Sequence, residues 1–480
     1  MSPETNKTWF PSSRRLVRAL IPVAGAVVLF GLLVWPGLAY NFSNNIRLST
    51  IESLDAANPD ITAAADYVGV VWSEGYNRDP NTKEWGNVYL KSADVISGWS
   101  PRIRILNATV DVWGREPRLA FHANDPTQAH LVWAQASGCG GRGLDCEWTS
   151  VRHTSCDLST RPATCDSPSV VVSGQSDAST PGVAVDSGGG VHVVWREGSS
   201  SIRYCKQGSC GSPAEIGSGQ HPSLAFANDR LHAVWDAGST IEYRRDDSPG
   251  NSSWNPTGSR SWNPHTTQGY EDPSYPAIDA GDSAIYVVWA VKKTGNNQYA
   301  LAFDFYDGSS ATWQDTSGAN IGFTIPGNDQ DFAGTTRYES NSDVSYLFSL
   351  KPDVVVTSTG VATQAYAHVV WHGKETGEGG GAYEIWYTYL PGIGASDWTS
   401  VLKIDNQSSK DAGDPAIAIG SALAETHVAY MQDADGKGAG GYETLIDVWY
   451  IGANGGQDDD TDRYEGMFFL PIVVKQSTLK

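Results

Sequence analysis

Short apolar runs separated by Gly- and Pro-rich turns fill most of this chain, and they follow the two-residue alternation of β-strands. The clearest example joins strand patterns at 181–186, 191–195 and 201–204 through tight turns. In the second of these, Val193 and Trp195 fall on one face. No helical period appears beyond the N-terminal segment. The pattern therefore predicts an all-β protein built from short antiparallel strands.

The same pattern recurs at an average spacing of about 60 residues, which suits one four-stranded sheet per copy. The first strand of each copy begins at a proline: Pro59, Pro117, Pro181, Pro222, Pro276, Pro352 and Pro415. The second strand ends at a large aromatic residue: Trp72, Trp133, Trp195, Trp235, Trp289, Trp371 and Tyr430. We expect the proline to open the first strand, where its missing N–H costs no ladder bond. We expect the aromatic ring to fill the gap between neighbouring sheets.

Seven copies predict a β-propeller, most simply with seven four-stranded blades, although six remain possible. The seventh copy has no clear fourth strand, and an isolated strand pattern at 45–49 precedes the first copy. We therefore expect 45–49 to pair with the strand at 446–451 and complete the last blade. Such ring closure would remove both exposed edges of the sheets.

The N-terminus has an export pattern, in which Lys7, Arg14, Arg15 and Arg18 precede an apolar run from about 19 to 40. It is either a signal peptide cleaved after Ala39 or a hydrophobic helix that anchors the protein. Residues 1–40 form this segment, 41–455 the propeller, and 456–480 an acidic linker with an apolar tail. The predicted location is outside the cytoplasm, with membrane contact only through residues 16–40.

Composition agrees with export and excludes one class of partner. The net charge of −21 would repel a phosphate backbone, so nucleic acid is not expected to bind. The six cysteines lie close together in one third of the chain, as local disulfides in an oxidising compartment would. The neighbour pairing among the possible connectivities is Cys139–Cys146, Cys156–Cys165 and Cys205–Cys210.

The repeats at 181–195 and 222–235 resemble the sialidase-like, BNR-type propeller superfamily found among bacterial secreted and envelope proteins, and the resemblance covers about 46–452. It implies a propeller and leaves the activity open, since propellers host unrelated functions. Arg115 before Glu116 and Pro117 resembles the family's first catalytic arginine, although Gly114 and Glu116 replace apolar residues. The family's Tyr–Glu pair would be supplied by the segment Arg337-Tyr338-Glu339.

Two further groups bear on metals. Histidines occupy equivalent positions in five copies, which places them far apart around the ring and favours a structural role: His130, His192, His232, His368 and His427. Asp433 and Asp435 begin like a calcium loop, but Lys437 and Thr444 stand where oxygen ligands are needed. No cofactor is required, and Ca²⁺ is the one ion this pattern suggests.

Loop length locates a predicted binding face. The loops after the second strands are long in copies 1, 2, 6 and 7, which become neighbours once the ring closes. They carry or flank the expected ligand-binding residues, which are Tyr76, Arg78, Trp85, Trp148, Glu375, Tyr383 and Tyr442. Aromatic rings beside carboxylates suit a sugar or peptide surface. The favoured function is a non-catalytic, cell-surface binding module for a glycan or an extracellular protein. The alternatives are a sialidase-like glycoside hydrolase and a structural component of a surface assembly.

Overall fold

The structure is a computed structural model. It describes residues 45–49, 55–76, 86–94, 97–107, 112–122, 124–137, 147–250, 254–263, 269–294, 299–308, 312–313, 351–358, 365–373, 383–390, 401–405, 412–420, 425–433 and 446–452. Within these residues the strands form seven antiparallel sheets, and the innermost strand of each sheet contacts that of the next around a closed ring. The protein is therefore a seven-bladed β-propeller, as the repeats predict. The described part of the chain contains no helix that is long and apolar enough to cross a membrane.

The strands of blades 1 to 3 follow in chain order after β1 (Ile46–Arg47), which belongs to blade 7. Blade 1 contains β2 (Asp55–Ala64), β3 (Tyr67–Tyr76), β4 (Asn87–Asp94), β5 (Gly98–Trp99) and β6 (Ile103–Leu106). Blade 2 contains β7 (Val112–His122), β8 (Asp125–Ser137), β9 (Glu147–Asp157), β10 (Thr164–Cys165) and β11 (Ser169–Val172). Blade 3 contains β12 (Ala178–Val185), β13 (Val191–Glu197), β14 (Ser201–Lys206) and β15 (Ala214–Ser218).

Blades 4 to 7 repeat this meander, with the first strand of each blade nearest the axis. Blade 4 contains β16 (Gln220–Ala227), β17 (Arg230–Asp236), β18 (Ile241–Asp246) and β19 (Asn255–Trp262). Blade 5 contains β20 (Tyr270–Ala280), β21 (Ala284–Lys293), β22 (Tyr299–Asp307) and β23 (Thr312–Trp313). Blade 6 contains β24 (Asp353–Ser358), β25 (Ala365–Gly373), β26 (Glu384–Leu390) and β27 (Leu402–Lys403). Blade 7 contains β28 (Ala412–Gly420), β29 (Glu425–Asp433) and β30 (Ile446–Gly452).

The chain start closes the ring, as the isolated strand pattern predicts. Strand β1 pairs antiparallel with β30, with Ile46 opposite Tyr450 and Arg47 opposite Trp449. Beyond the ladder, the Leu48 amide donates to the Val448 carbonyl at 2.8 Å. The last blade thus takes its fourth strand from the opposite end of the chain, and the first and last blades are held in one ring.

The core consists of seven apolar clusters, one at each junction between blades. The aromatic residue of each second strand packs against the preceding blade. Trp195 of blade 3, for example, contacts the cluster that contains Val132 and Val151 of blade 2. The equivalent Tyr430 packs against blade 6. The predicted inter-blade role of these rings is therefore confirmed, and the stability of the ring depends on them.

The prediction that the repeat proline opens the first strand was wrong for six of the seven blades. In six blades the proline lies inside the first strand at a bulge. Ala57 of β2 pairs with Ser73 and Asp60 with Val71, which leaves Asn58 and Pro59 out of the ladder. Because a bulge removes residues from the ladder, a proline fits there at no cost in hydrogen bonds. Only in blade 6 does the proline precede the strand.

Candidate functional site

The innermost strands enclose a cavity of about 730 Å³ on the axis of the propeller. All seven blades contribute to its lining. Arg196, next to the last residue of β13, also lines the cavity, so it reaches the side of the propeller on which the second strands end. The long loops predicted to bind a ligand begin at the ends of second strands. Apart from a few residues at their two ends, these loops lie outside the described residues.

A ring of seven residues at equivalent positions surrounds this cavity. Each member immediately precedes the repeat proline: Asn58, Glu116, Thr180, His221, Tyr275, Lys351 and Asp414. Six of them, all except Lys351, have a φ between 46° and 53°, the left-handed region that non-glycine residues seldom adopt. Each such residue costs about 1–3 kcal/mol, and strain of this kind clusters at functional sites. We call these seven residues the pre-proline ring.

The pre-proline ring combines a repeated backbone with unrepeated side chains. The proline, the bulge and the inter-blade aromatic residue recur because the architecture needs them in every blade. The ring side chains differ in all seven copies, and all of them are polar or carry a polar group. A purely structural requirement would favour the same residue at equivalent positions, so the variation points to recognition of an asymmetric ligand.

Carboxylates in the cavity accept hydrogen bonds from backbone amides on the innermost strand of the next blade. The amide of Leu119 donates to Asp60 at 2.7 Å, that of Ile417 to Asp353 at 2.8 Å, and that of Val356 to Asp279 at 2.7 Å. Each acceptor belongs to the blade before its donor. Unpaired amides on the edge strand of a sheet are costly when buried. These three carboxylates therefore hold the innermost strands together.

Burial governs the charge of these carboxylates. It raises the pKa of Asp60 to about 6, that of Asp279 to about 6 and that of Asp353 to about 7. Glu116 behaves differently. Burial alone would raise its pKa, but Arg115 and the Thr180 amide outweigh burial and hold the pKa below its usual range. These three carboxyl groups therefore take up protons at a higher pH than an ordinary aspartate does, while Glu116 stays ionised at neutral pH.

Four cationic side chains share the cavity, namely Arg115, Arg118, Arg196 and Lys351. Lys351 pairs with Asp414 at 3.0 Å, and Arg196 pairs with Asp177 at 2.9 Å. The Arg118 guanidinium donates to its own neighbour, the Pro117 carbonyl, at 3.4 Å. Burial would lower its pKa, but the nearby carboxylates of Asp60, Asp414 and Glu116 outweigh burial and raise it. Among the described residues Arg118 forms no ion pair within 4 Å, so it is the cavity cation that we expect a ligand to reach, in competition with these carboxylates.

Arg115 and Trp148, both predicted from the sequence, lie together beside the cavity. The Arg115 guanidinium lies 3.8 Å from the centre of the Trp148 ring, a cation–π contact. It also pairs loosely with Glu116 at 3.8 Å and with Asp177 at 3.7 Å. Arg115, Arg118 and Arg196 thus line one cavity. The tryptophan holds one of these cations in position.

Blade 4 contains a histidine–carboxylate pair, formed by His221 and Asp236. His221 Nδ1 and Asp236 Oδ2 lie 2.7 Å apart, and the Tyr275 amide donates to the same oxygen at 3.2 Å. The Tyr275 ring packs on the imidazole with centroids 4.0 Å apart. Asp236 is 8% exposed and His221 is 25% exposed. The carboxylate therefore fixes the orientation of an imidazole that reaches the cavity.

The structure places the remaining predicted residues as follows. Tyr383 is buried, with its ring edge-on to His372. The disulfides Cys156–Cys165 and Cys205–Cys210 are confirmed. The other predicted residues lie outside the described part of the chain, or their side chains do: Tyr76, Arg78, Trp85, Glu375, Tyr442, Arg337, Tyr338, Glu339, Asp433, Asp435, Cys139 and Cys146. Their roles, including Ca²⁺ binding by the two aspartates, stay predictions.

The repeat histidines lie in buried hydrogen bonds. In four blades Nδ1 meets a tyrosine hydroxyl of the third strand at 2.7–2.9 Å: His192–Tyr204, His232–Tyr243, His368–Tyr387 and His427–Tyr450. His130 meets His153 at 3.1 Å instead. Within the described ranges no cluster of three or more His, Cys, Asp or Glu could hold a metal ion. These histidines therefore serve the fold.

Sequence reasoning missed the pre-proline ring, although it located every proline. The signal was present: alignment of the seven copies on the proline shows a different residue before the proline in each copy. A position whose residue changes in every copy contributes nothing to the shared repeat pattern. The loops differ in length from copy to copy and are therefore visible in the sequence, whereas the ring differs only in its side chains.

Fold and cavity together define a seven-bladed β-propeller with a polar axial site, which is the architecture that the sequence resemblance implies. No protein-family model and no curated protein matches the chain. Among solved structures, a lectin from Burkholderia pseudomallei shares 14% identity over 83% of this chain and 95% of that one, with a TM-score of 0.49. The NanB sialidase from Streptococcus pneumoniae shares 13% over 86% and 70%, with a TM-score of 0.45. A variant of the Aleuria aurantia lectin in complex with Fucα1-6GlcNAc shares 11% over 69% and 94%, with a TM-score of 0.38.

Proposed function

We propose that this protein is an exported propeller that binds a glycan in the axial cavity. The observation that carries the proposal is the pre-proline ring, a set of seven different polar side chains on a strained backbone around one cavity. The volume of about 730 Å³ lies within the range of about 300–1,000 Å³ that ligand sites occupy. The cavity therefore has the size and the chemical variety that an asymmetric organic ligand requires.

The mixture of charges favours a sugar over a simple ion. The cations Arg118 and Lys351 would repel a metal ion, and a small inorganic anion has no hydroxyl groups to donate to acceptors such as Asp60 and Asp353. A glycan presents hydroxyl groups that both donate and accept hydrogen bonds. A lining that supplies donors and acceptors in turn therefore matches a polyhydroxylated ligand. Arg118 adds a charged donor, which can make stronger hydrogen bonds than a neutral group.

The export part of the proposal is supported by the two disulfides, Cys156–Cys165 and Cys205–Cys210, which suit an oxidising compartment. The N-terminal segment would direct the protein across the membrane or hold it at the outer face. An extracellular protein is the second kind of partner, recognised through the loops around the cavity. An exported protein would meet either partner, a glycan or an extracellular protein, outside the cell.

The experiment is a glycan array with neutral, amino and acidic glycans, followed by titration of the best ligand into three proteins. These are the wild type, Arg118→Met and Arg230→Met. Arg230 is 45% exposed, is the first residue of β17 and does not line the cavity, so its substitution is the matched control. Loss of a charge-assisted hydrogen bond worth about 1.5–3 kcal/mol predicts that Arg118→Met weakens binding by about tenfold or more. Arg230→Met should bind as the wild type does.

If Arg118→Met binds the glycan as the wild type does, the glycan binds outside the cavity. If no glycan binds at all, the proposal is refuted. A second candidate, a sialidase-type hydrolase, is favoured by one observation, that Arg115, Arg118 and Arg196 line the same cavity. A fluorogenic sialoside separates the two, because turnover that is lost in Arg115→Ala would establish hydrolysis. Self-association without glycan binding would instead support an assembly component.

A further inference from the structure

The His221–Asp236 pair has no counterpart in the other six blades. The position of Asp236, one residue after the inter-blade aromatic residue, is occupied elsewhere by Ser73, Ala134, Arg196, Ala290, His372 and Met431. Histidine also occurs only once in the pre-proline ring, at position 221. Two residues that are separated by 15 positions and absent from every other copy are thus joined at 2.7 Å. The fold does not require this pair, since the other blades form without it.

The geometry of the pair is that of an oriented base. Asp236 Oδ2 meets Nδ1, which fixes the ring so that Nε2 is the other functional nitrogen. Within the described residues His221 Nε2 has neither a hydrogen-bond partner nor an ion-pair partner. His221 lines the cavity and its side chain is one-quarter exposed. A histidine held by a buried carboxylate and open to a ligand cavity is the usual arrangement of a general base.

The other groups in the cavity limit the classes of reaction that His221 could catalyse. The carboxylates that a glycoside hydrolase would need are committed to the scaffold: Glu116 accepts from the Thr180 amide at 2.5 Å, and Asp60 and Asp353 accept from amides of the next blade. Asp414 is engaged by Lys351. His221, the neighbouring Tyr275 and the cation Arg118 also line the cavity. These are the groups needed to remove a proton beside a carboxylate and expel the adjacent glycosidic oxygen.

We propose that the cavity cleaves a uronate-containing glycan by β-elimination, with His221 as the base, Arg118 as the group that pairs with the sugar carboxylate, and Tyr275 as the acid. The proposal deepens the glycan-binding function above and rests on it. It names uronic acids as the sugar class. Asp236 is a positioning residue, because it acts on the substrate only through His221.

The step balances without water or any oxidant. His221 Nε2 takes the proton from the ring carbon that bears the carboxylate. The electron pair of that C–H bond forms a carbon–carbon double bond to the neighbouring ring carbon. The bond from that neighbour to the glycosidic oxygen breaks, and the leaving oxygen takes a proton from the Tyr275 hydroxyl. Arg118 stabilises the negative charge that builds up on the carboxylate during proton removal.

The test uses the full chain with polygalacturonate, alginate and hyaluronan as probes. Binding is measured by titration, and cleavage by the ultraviolet absorbance of the unsaturated uronate product. Four variants are compared with the wild type: His221→Gln, Asp236→Asn, Tyr275→Phe and the control His122→Gln. His122 lies at the end of β7, outside the cavity. Removal of a general base predicts a fall in turnover of about 100-fold or more in His221→Gln with binding retained.

Asp236→Asn can still hold His221, so it should fold and bind. It should lower turnover and shift the pH profile of kcat, a change that a merely structural role would not produce. His122→Gln should match the wild type. Binding of a uronate polymer without cleavage, or cleavage that yields saturated ends, would overturn the elimination and leave the binding site intact. Binding only of glycans without uronate would also overturn it. No glycan binding of any kind would remove the proposed function as well.

Discussion

A partly buried ion pair joins the two strands that close the ring, and its two partners should respond unequally to mutation. Arg47 of β1 pairs with Asp447 of β30, whose side chain is 2% exposed, while that of Arg47 is 22% exposed. Ser49 Oγ donates to the same carboxylate at 2.9 Å and accepts from the Val448 amide at 3.0 Å. Burial raises the pKa of Asp447, although Arg47 and Ser49 act in the opposite direction. The carboxylate is thus held ionised largely by its partner.

Arg47→Ala removes that partner and leaves a buried charge, so it should lower the free energy of unfolding by about 3–5 kcal/mol near pH 8. Asp447→Asn should cost only about 1–2 kcal/mol, because the remaining Arg47 is partly exposed and can be hydrated. The sign with pH follows from the raised pKa. The penalty in Arg47→Ala is largest where Asp447 is ionised, and it shrinks as the pH falls through the pKa and the carboxyl becomes protonated.

Urea denaturation followed by tryptophan fluorescence at about pH 8 and about pH 5 measures both effects. Arg230→Ala is the control, because its pair with Asp247 is exposed and should contribute less than about 1 kcal/mol. A cost for Arg47→Ala no larger than that of the control, or one that does not change with pH, would refute the reasoning. It would mean that the carboxylate at the ring junction is not held ionised by Arg47.

Three further predictions concern the blades. Trp195→Ala should lower the free energy of unfolding by about 3–5 kcal/mol in urea, since a fully buried inter-blade ring is lost; a cost below about 1 kcal/mol would contradict that role. Burial lowers the pKa of His368 to about 3, so its contribution is complete above about pH 6.5 and is lost as the pH falls. His368→Asn should therefore flatten the dependence of stability on pH between about 6.5 and about 4, and an unchanged slope would argue against it. Replacing Cys205 and Cys210 by alanine opens a five-residue loop and should cost about 2 kcal/mol in the same assay, whereas no loss would show that the crosslink is not stabilising.

The fold could be predicted because its requirements are the same in every blade. The aromatic residue at the end of each second strand recurs because each blade must fill the same gap, as Trp195 does. The isolated strand at 45–49 was recognisable because the seventh copy lacked a fourth strand. Such features repeat in the sequence, and repetition makes them visible without a structure.

The site could not be predicted in the same way. The residues around Thr180 and Tyr275 do not predict a left-handed backbone, because β-branched and aromatic residues usually avoid left-handed φ values. Both residues lie at bulges in innermost strands, where the register with the second strand shifts. Asp236 and His221 meet only because β16 and β17 pair there. Convergence of unlike residues from different copies is a property of the closed ring, and a linear sequence does not display it.

The most direct test of the account is a crystal structure of the protein with the glycan that binds it best on the array. The account predicts that the sugar lies in the axial cavity within hydrogen-bond distance of the Arg118 guanidinium and of at least one member of the pre-proline ring. A glycan bound on the outer loops, with the cavity occupied only by water, would contradict it.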